Sequence, residues 1–273
     1  MGKIIQFSGR HELARNGDGS QEDYAPQNLE LFPLDVLGID PVKKGADSAG
    51  TVLAADGYPY NTKSSRTRPE LPLNEWLCYH ISEACGIAVP TNKILKMPDG
   101  ELVFGSRQAA GTYTKGGIVN TPDQLVRRLV VPERLWGMLA LDLFIQNLDR
   151  RFANLVFQTV GSETNVLSID FSRALLHHRD LFFPVGKIDP NCNSVAFARF
   201  VSAIVPLSYA EVERICSALT RVTADHLLDW SARAPASWRS VPRFSELLDW
   251  WSTDQKKARL QEIQDYFWNG SHF

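Results

Sequence analysis

The sequence predicts an α+β fold of two lobes, a small mixed sheet with one helix followed by a mainly helical lobe. Three features support this prediction: turns, short strands and one amphipathic helix in the first part of the chain, a helix-length apolar segment in the middle, and amphipathic segments toward the end. We expect a flexible lead-in over residues 1–30, an N-terminal lobe over 31–110 and a C-terminal lobe over 111–273.

The composition is typical of a folded globular protein. The 273 residues suffice for one large domain or two small ones, and 44% hydrophobic with 22% charged residues is an ordinary balance. A net charge of −2 gives no overall attraction to nucleic acid or anionic membranes, so we expect neither as a partner. The sequence shows no signal-peptide pattern and no long apolar span, which predicts a cytoplasmic protein. The four cysteines lack metal-ligand spacing and are expected to be buried apolar residues.

The predicted N-terminal lobe combines a turn, a helix and a hairpin. The glycine-bracketed turn Gly45–Gly50 leads into a short apolar strand. Pro72 occupies a favoured first-turn position of a helix whose apolar residues recur on one face, and Gly86 ends that helix. Two strands follow, Thr91–Met97 and Glu101–Phe104, and a Pro-Asp-Gly turn joins them. A small sheet with one helix is the expected result.

The predicted C-terminal lobe is mostly helical and includes one further hairpin. Its central helix is apolar on nearly every face, which indicates that it is buried in the middle of the lobe. The segments are the helix start Thr121-Pro122-Asp123, the helix Pro132–Asn147, the strands Leu155–Val160 and Val166–Ile169, and the helical tail Leu207–Phe267 with breaks near Pro235 and Pro242.

The residues that indicate chemistry follow the buried helix. A polar loop carries Asp149 and, five positions later, Asn154; a short hairpin follows, and Asp170 stands at the end of its second strand. Phosphoryl transfer needs one carboxylate to orient the acceptor hydroxyl and take its proton, and a carboxylate and an amide oxygen to hold magnesium. Because a hairpin brings its two ends together, we expect Asn154 and Asp170 to bind one ion while Asp149 faces the acceptor.

Each of these residues also has an ordinary structural interpretation. An Asp after a helix is often a cap or turn residue, and Asn154 is as compatible with a turn. Asp170 is the strongest single signal, since a carboxylate that follows an apolar strand needs a partner or a metal. A metal site at His177-His178 is disfavoured, because adjacent side chains on a strand point to opposite faces and no third ligand has suitable spacing nearby.

The same loop resembles the catalytic loop of the HipA-like kinases, in particular their compact branch. That branch reads approximately Asn-Thr-Asp-Arg-His-Gln-Gly-Asn, and this chain has Asn-Leu-Asp-Arg-Arg-Phe-Ala-Asn over residues 147–154. Further matches, in the same order and within roughly residues 35–176, are Leu73-Asn74-Glu75-Trp76, Gly86-Ile87-Ala88-Val89-Pro90 and Phe104-Gly105-Ser106. The chain departs from the pattern at Arg151, where relatives carry His, and at Ser172, where many kinases carry Gly. Neither position supplies an essential ligand in the expected mechanism.

The resemblance implies a bilobal protein-kinase-like fold that uses ATP and Mg²⁺. It implies that Lys63 binds the nucleotide phosphates and that Glu75 is its carboxylate partner. The segment around Lys63 contains Pro and Asn and is a poor strand, so a solvated loop lysine is an alternative, and Lys43 or Lys44 could take the role. Glu75 lies opposite the apolar stripe of its helix, where a solvated face is the alternative.

The resemblance also implies a set of residues around the nucleotide. The set comprises Gly45, Ala46, Asp47, Ser48, Ala49, Gly50, Lys63, Phe104 and Gly105. Backbone amides of the Gly45–Gly50 turn would face the phosphates. This turn is not a Walker-type phosphate loop, because Gly50 is followed by Thr51-Val52 instead of Lys and Ser or Thr.

Several functions remain open from the sequence. The first is a serine/threonine protein kinase, which the resemblance extends to a toxin that acts on translation and has an antitoxin partner. The second is a small-molecule or lipid kinase on the same fold. The third is a catalytically silent binding module, which the intact set of Asp149, Asn154 and Asp170 disfavours. A hydrolase that uses Asp149 and Asp170 as acid and base is a fourth.

Overall fold

The structure, a computed structural model, describes residues 32–40, 50–109, 121–160, 163–178, 182, 184 and 188–269. Its strands are β1 (Leu34–Asp40), β2 (Gly50–Ala54), β3 (Pro59–Lys63), β4 (Asn92–Lys96), β5 (Leu102–Arg107), β6 (Leu155–Val160) and β7 (Glu163–Ser168). Its α-helices are α1 (Leu71–Ala84), α2 (Pro122–Arg127), α3 (Arg134–Phe144), α4 (Asn193–Ser202), α5 (Tyr209–Arg221), α6 (Ala224–Arg233), α7 (Arg243–Trp251) and α8 (Asp254–Trp268). Short 3-10 helices cover Phe152–Asn154, Leu175–His177 and Ala236–Trp238.

The described elements confirm the predicted α+β class. The predicted lead-in over residues 1–30 lies outside the described residues, as do five residues of the predicted turn and the two alternative lysines: Gly45, Ala46, Asp47, Ser48, Ala49, Lys43 and Lys44.

The first five strands form one closed sheet in the order β1-β2-β3-β5-β4. Neighbouring strands are antiparallel except where β1 closes the sheet by pairing in parallel with β4, Leu34 opposite Leu95. The interior is filled by a small hydrophobic cluster, whose members are Val52, Ala54, Tyr60, Leu95 and Val103. Closure satisfies the backbone groups that a free sheet edge would expose.

The prediction that the chain before Lys63 makes a poor strand is wrong. Pro59 takes the first position of β3, where a proline costs no internal ladder hydrogen bond. The Asn61 side chain is satisfied, since its Oδ1 accepts from Thr51 Oγ1 at 3.3 Å and from Gln108 Nε2 at 3.0 Å. Pairing with β2 on one side and β5 on the other therefore overrides the weak local propensity.

Helix α1 connects the sheet to the helices. It has Pro72 in its first turn and ends before Gly86, whose φ of +66° explains the glycine, as predicted. Its buried apolar side chains belong to the large hydrophobic cluster that also includes the cores of α3 and α5. The predicted hairpin is present, although β5 runs on to Arg107 because its outer residues pair with β3.

The helical part follows the predicted order with shorter elements. The buried helix is α3, and it ends at Phe144 because Gln146 adopts a φ of +57° that turns the chain. Strand β7 begins at Glu163, three residues earlier than predicted, and hydroxyls of Thr159 and Thr164 hydrogen-bond across the hairpin at 3.0 Å. The tail is helical with breaks at Pro235 and Pro242, as predicted. Within the described residues, none of the helices has the length and apolar character needed to cross a membrane.

Two buried basic side chains of α8 cap other helices. Lys256 Nζ donates to the carbonyls of Val222 at 2.5 Å and Thr220 at 3.3 Å, at the end of α5. Arg259 Nη2 donates to the Leu143 carbonyl at 2.6 Å, at the end of α3. Carbonyls at a helix C-terminus lack partners within the helix and carry partial negative charge, which these cations satisfy.

Replacing Lys256 by methionine should lower the free energy of unfolding by about 1–3 kcal/mol, since the carbonyls at the end of α5 lose a buried donor. Burial lowers the pKa of Lys256 to about 8, below the value of ~10.4 for an unfolded lysine. Between these pH values the unfolded chain binds more protons, so wild-type stability should gain on that of Lys256→Met as the pH rises. Denaturant unfolding at pH 7 and pH 10 measures this, with Lys257→Met, at an exposed lysine, as the control. Parallel pH profiles for wild type and Lys256→Met would contradict the assignment.

Candidate active site

The β6–β7 hairpin brings the two predicted metal ligands to neighbouring positions. Asn154 directly precedes β6, and its backbone carbonyl accepts a hydrogen bond from the Ile169 amide at 3.1 Å. Asp170 is the next residue, and its φ of +60° is uncommon for a residue other than glycine. Such a conformation persists only where the surrounding structure fixes it. The register of the hairpin, with Leu155 opposite Ser168, therefore sets both residues at its open end.

A buried arginine fastens this hairpin to the loop before it. Arg150 is fully buried, and its Nη1 donates to the carbonyls of Asn154 and Ile169, each at 2.8 Å. Its Nε and Nη2 donate to the two carboxylate oxygens of Asp142 in α3, at 2.7 and 2.8 Å. Asn147 Nδ2 donates to Asp142 Oδ1 at 2.7 Å. Helix α3, the loop and the hairpin therefore form one hydrogen-bonded unit.

Lys63 meets two carboxylates that come from different elements. Its Nζ lies 2.7 Å from Asp170 Oδ1 and 3.3 Å from Glu75 Oε1. Glu75 is 1% exposed, and its Oε2 accepts from the Phe171 amide at 3.2 Å. The alternatives of a solvated lysine and a solvated helix face are therefore wrong. Glu75 is buried because α1 packs against the sheet on the side that the apolar stripe does not cover.

The charges in this cluster set the protonation states of its members. Burial alone would raise the pKa of Asp170, but Lys63 and the Ser172 hydroxyl, which donates to Oδ1 at 2.7 Å, lower that pKa to about 2. Burial raises the pKa of Glu75 to about 7, against the opposing effect of Lys63. Burial would lower the pKa of Lys63, but Glu75 and Asp170 together raise it. Asp170 is thus a carboxylate and Lys63 a cation at neutral pH.

Asp149 lies in the loop that carries Arg150, and each of its carboxylate oxygens accepts a hydrogen bond. Its Oδ1 accepts from Asn193 Nδ2 at 2.5 Å, and its Oδ2 accepts from Arg151 Nη2 at 2.8 Å. Arg173 Nε approaches Oδ2 at 3.7 Å. The backbone carbonyl of Asp149 accepts from Asn154 Nδ2 at 3.0 Å, so the Asn154 amide nitrogen is used within the protein and its oxygen is the atom suited to a cation.

Packing explains the glycines of the predicted nucleotide set that the structure describes. Gly50 begins β2 with a φ of +120°, which favours glycine, and its carbonyl accepts from Thr62 Oγ1 at 3.0 Å. Gly105 lies in β5 between β3 and β4, and a Cβ there would come within 2.5 Å of the Leu95 side chain.

Phe104 is a core residue that begins a line of aromatic contacts. It is fully buried and packs edge-to-face on Tyr79 of α1, with ring centroids 5.0 Å apart. Tyr79 in turn packs on Phe171, at 5.6 Å, and its hydroxyl hydrogen-bonds with Ser106 Oγ at 2.6 Å. These contacts link Phe104 to the residue after Asp170. In the pairing of β3 with β5, Phe104 lies opposite Lys63 and Gly105 lies opposite Thr62, so both residues stand next to the charged cluster.

Sequence reasoning missed five side chains that build this site. They are Asn74, Asp142, Arg150, Arg173 and Asn193. A signal existed for Asp142, because a carboxylate inside an otherwise apolar helix needs a buried partner. No pattern in the sequence connects Asn193 with Asp149, since they are 44 positions apart along the chain.

The histidine pair makes other contacts. His178 Nε2 hydrogen-bonds with the Gln146 carbonyl at 2.6 Å, and His177 Nδ1 contacts Nη1 of Arg68. Among the residues that the structure describes, no group of three or more His, Cys, Asp or Glu side chains could hold a metal ion.

Comparison with known proteins identifies the fold. Neither a protein-family model nor a curated protein sequence matches the chain. Among solved structures, the chain is similar to the Helicobacter pylori proinflammatory kinase CtkA, with a TM-score of 0.50 and 13% sequence identity over 85% of this chain and 98% of that chain. The chain thus has the fold of that kinase, and the predicted resemblance to the HipA-like kinases is confirmed at the level of the fold.

A second solved structure is also similar. It is the Shewanella oneidensis MR-1 toxin–antitoxin system of HipA, HipB and its operator DNA, with a TM-score of 0.47 and 10% identity. The match covers 77% of this chain and 58% of that chain, so this chain spans less than two thirds of that protein's length.

Proposed function

We propose that the chain is a cytoplasmic, ATP- and Mg²⁺-dependent kinase that phosphorylates a serine or threonine hydroxyl of a protein. The observation that supports this proposal is the contact of Lys63 with Glu75 and Asp170, residues from a strand, a helix and a loop. Lys63 and Asp170 are 107 positions apart in the sequence, and each carries the charge that its proposed role requires. On a kinase fold, this arrangement suits the binding and transfer of a phosphoryl group.

Each residue takes one role in the proposed reaction. Lys63 binds the nucleotide phosphates and Glu75 holds its ammonium group in place. Asp149 orients the acceptor hydroxyl and takes its proton as the oxygen bonds to the γ-phosphorus of ATP. The bond from that phosphorus to the bridging oxygen breaks at the same time, and ADP leaves. The nucleotide would lie between a lobe over residues 31–110 and a lobe over 111–273.

The residues present fit a magnesium ion. Asp170 has a pKa of about 2, so it offers an ionised carboxylate at neutral pH, and Asn154 offers an amide oxygen beside it. Mg²⁺ prefers oxygen ligands, and in nucleotide sites it takes one or two from the protein and the rest from phosphates and water. When bound, the ion would supply positive charge that offsets the charge of the phosphates. The turn Gly45–Gly50 would contact those phosphates as well.

The resemblance of the catalytic loop extends the proposal to a biological role. By that resemblance the kinase would be a toxin that acts on a component of translation, together with an antitoxin partner. A small-molecule or lipid kinase and a silent binding module are the rival functions.

The test is incubation of the chain with γ-labelled ATP, Mg²⁺ and a cell lysate, together with calorimetry of ATP binding. We expect label on protein, and we expect Lys63→Met to bind ATP roughly 10- to 100-fold more weakly, the effect of a charged hydrogen bond. Lys96→Met is the matched control, because Lys96 is an exposed lysine of the same sheet.

The outcomes separate the rival functions. Label on small molecules or lipids alone would indicate the second function, and ATP binding without transfer would indicate a silent module. Unchanged ATP affinity in Lys63→Met would overturn the role given to Lys63.

A further inference from the structure

We infer that the site prefers acceptor hydroxyls that have a carboxylate as a near neighbour, as in an acidic peptide segment, and that Arg151 and Arg173 provide this preference. The inference rests on the proposed function, and it names the class of acceptor. It starts from the surroundings of Asp149, the residue that would receive the hydroxyl.

Two arginines converge on one oxygen of Asp149. Arg151 Nη2 lies 2.8 Å from Oδ2, and Arg173 Nε lies 3.7 Å from the same atom. They come from different segments, because Arg151 belongs to the loop before β6 and Arg173 follows the Asp170 turn. Their side chains are 54% and 48% exposed, whereas that of Asp149 is 18% exposed. Both guanidinium groups are therefore accessible to a molecule that approaches Asp149.

At Asp149 itself, guanidinium groups outnumber carboxylates. Of the other charged residues of the site, Arg150 pairs with Asp142, and Lys63 lies against Glu75 and Asp170. Among the described residues, Arg151 and Arg173 share one acidic group at ion-pair distance, the carboxylate of Asp149. One carboxylate thus faces two half-exposed guanidinium groups, which leaves them with hydrogen-bond donors for a second anion.

Acceptor binding would compete with these arginines for Asp149. Both carboxylate oxygens already accept a hydrogen bond, and a hydroxyl that donates to Oδ2 approaches the atom on which the two arginines converge. A guanidinium that gives up this position needs another anion, and its planar fork matches a carboxylate in two parallel hydrogen bonds. A carboxylate beside the acceptor hydroxyl satisfies that requirement, whereas a neutral neighbour does not.

The test compares matched peptides on wild type, Arg151→Gln, Arg173→Gln and the double variant. The probes are degenerate fluorescent peptides with a central serine and either aspartate or asparagine fixed at one flanking position. Both binding, by anisotropy with a non-hydrolysable ATP analogue, and phosphate transfer are measured. We expect wild type to bind the best aspartate peptide roughly 5- to 10-fold more tightly than its asparagine counterpart, as for a partly exposed charged contact. The double variant should lose this difference while its KM for ATP stays unchanged.

Arg233→Gln is the control, since Arg233 is an arginine of similar exposure that pairs with Asp229 away from the site. Equal binding of aspartate and asparagine peptides by wild type would overturn the inference, and phosphate transfer in the same assay would leave the proposed kinase function standing. Selective binding that the double variant loses, without phosphate transfer, would support the recognition of acidic peptides by Arg151 and Arg173 and would contradict the proposed kinase function. If the arginines only hold Asp149 in place, the variants should lose turnover equally on both peptides. That result would also overturn the inference.

Discussion

Asp149→Asn is expected to lower the rate of phosphate transfer by ~10²- to 10⁴-fold, the usual contribution of a general base, while the affinity for ATP with Mg²⁺ stays near the wild-type value. The amide keeps the shape of the side chain, and its one oxygen can still accept from Arg151, while its NH2 group faces Asn193, whose amide can turn its oxygen to accept. It cannot take the proton of the acceptor hydroxyl. Single-turnover phosphate transfer and calorimetric ATP titration, each with and without Mg²⁺, measure the two effects separately.

Asp170→Asn and Asn154→Ala provide the contrast. Both should reduce transfer through weaker Mg²⁺-dependent ATP binding, and Asp170→Asn more so, because a carboxylate offers a full charge and an amide only a dipole. Excess Mg²⁺ should partly restore Asn154→Ala and leave Asp149→Asn unchanged. If Asp149→Asn removed the Mg²⁺-dependent binding and Asp170→Asn kept it, the roles of base and metal ligand would be exchanged.

Arg150→Met should lower the free energy of unfolding by ~3–5 kcal/mol, the cost of breaking a buried ion pair. The change leaves the Asp142 carboxylate buried without its bidentate partner and removes the donor to the carbonyls of Asn154 and Ile169. Arg150→Lys should recover little, since an ammonium group cannot reproduce the planar fork. Urea unfolding measures the loss.

Two further variants test this explanation. Arg151→Met, at the exposed neighbouring arginine, should cost less than ~1 kcal/mol, as surface pairs do. The double variant Asp142→Leu with Arg150→Met should regain part of the stability that Arg150→Met loses, because no charge then remains unpaired. A double variant whose losses simply add would show that the two side chains act independently.

Local patterns in the sequence predicted the parts of the fold that local forces decide. The β4–β5 turn, the glycine after α1 and the buried character of α3 follow from turn chemistry and periodicity. The hairpin that places Asn154 beside Asp170 was predictable for the same reason, since its strands are close in the chain.

Contacts between distant segments decide the rest. Strand β3 forms because β2 and β5 offer it partners, although Pro59 and Asn61 disfavour a strand. Glu75 is buried because α1 packs against the sheet, where Lys63 of β3 pairs with it, and the helical pattern around Glu75 contains no information about that lysine. Asn193 reaches Asp149 only through the packing of α4 against α3, which no short pattern in the sequence records.

The aromatic line from Phe104 through Tyr79 to Phe171 has a consequence for the order of folding. It joins the sheet, α1 and the segment after Asp170, and the Lys63–Asp170 contact closes a separation of 107 residues. Long-range contacts of this kind cost loop-closure entropy before they contribute any stability, so they form after local helices and hairpins. A chain emerging from the ribosome would therefore acquire its reactive cluster at the end of folding, and regain of ATP binding after dilution from denaturant would report the completed tertiary structure rather than its secondary structure.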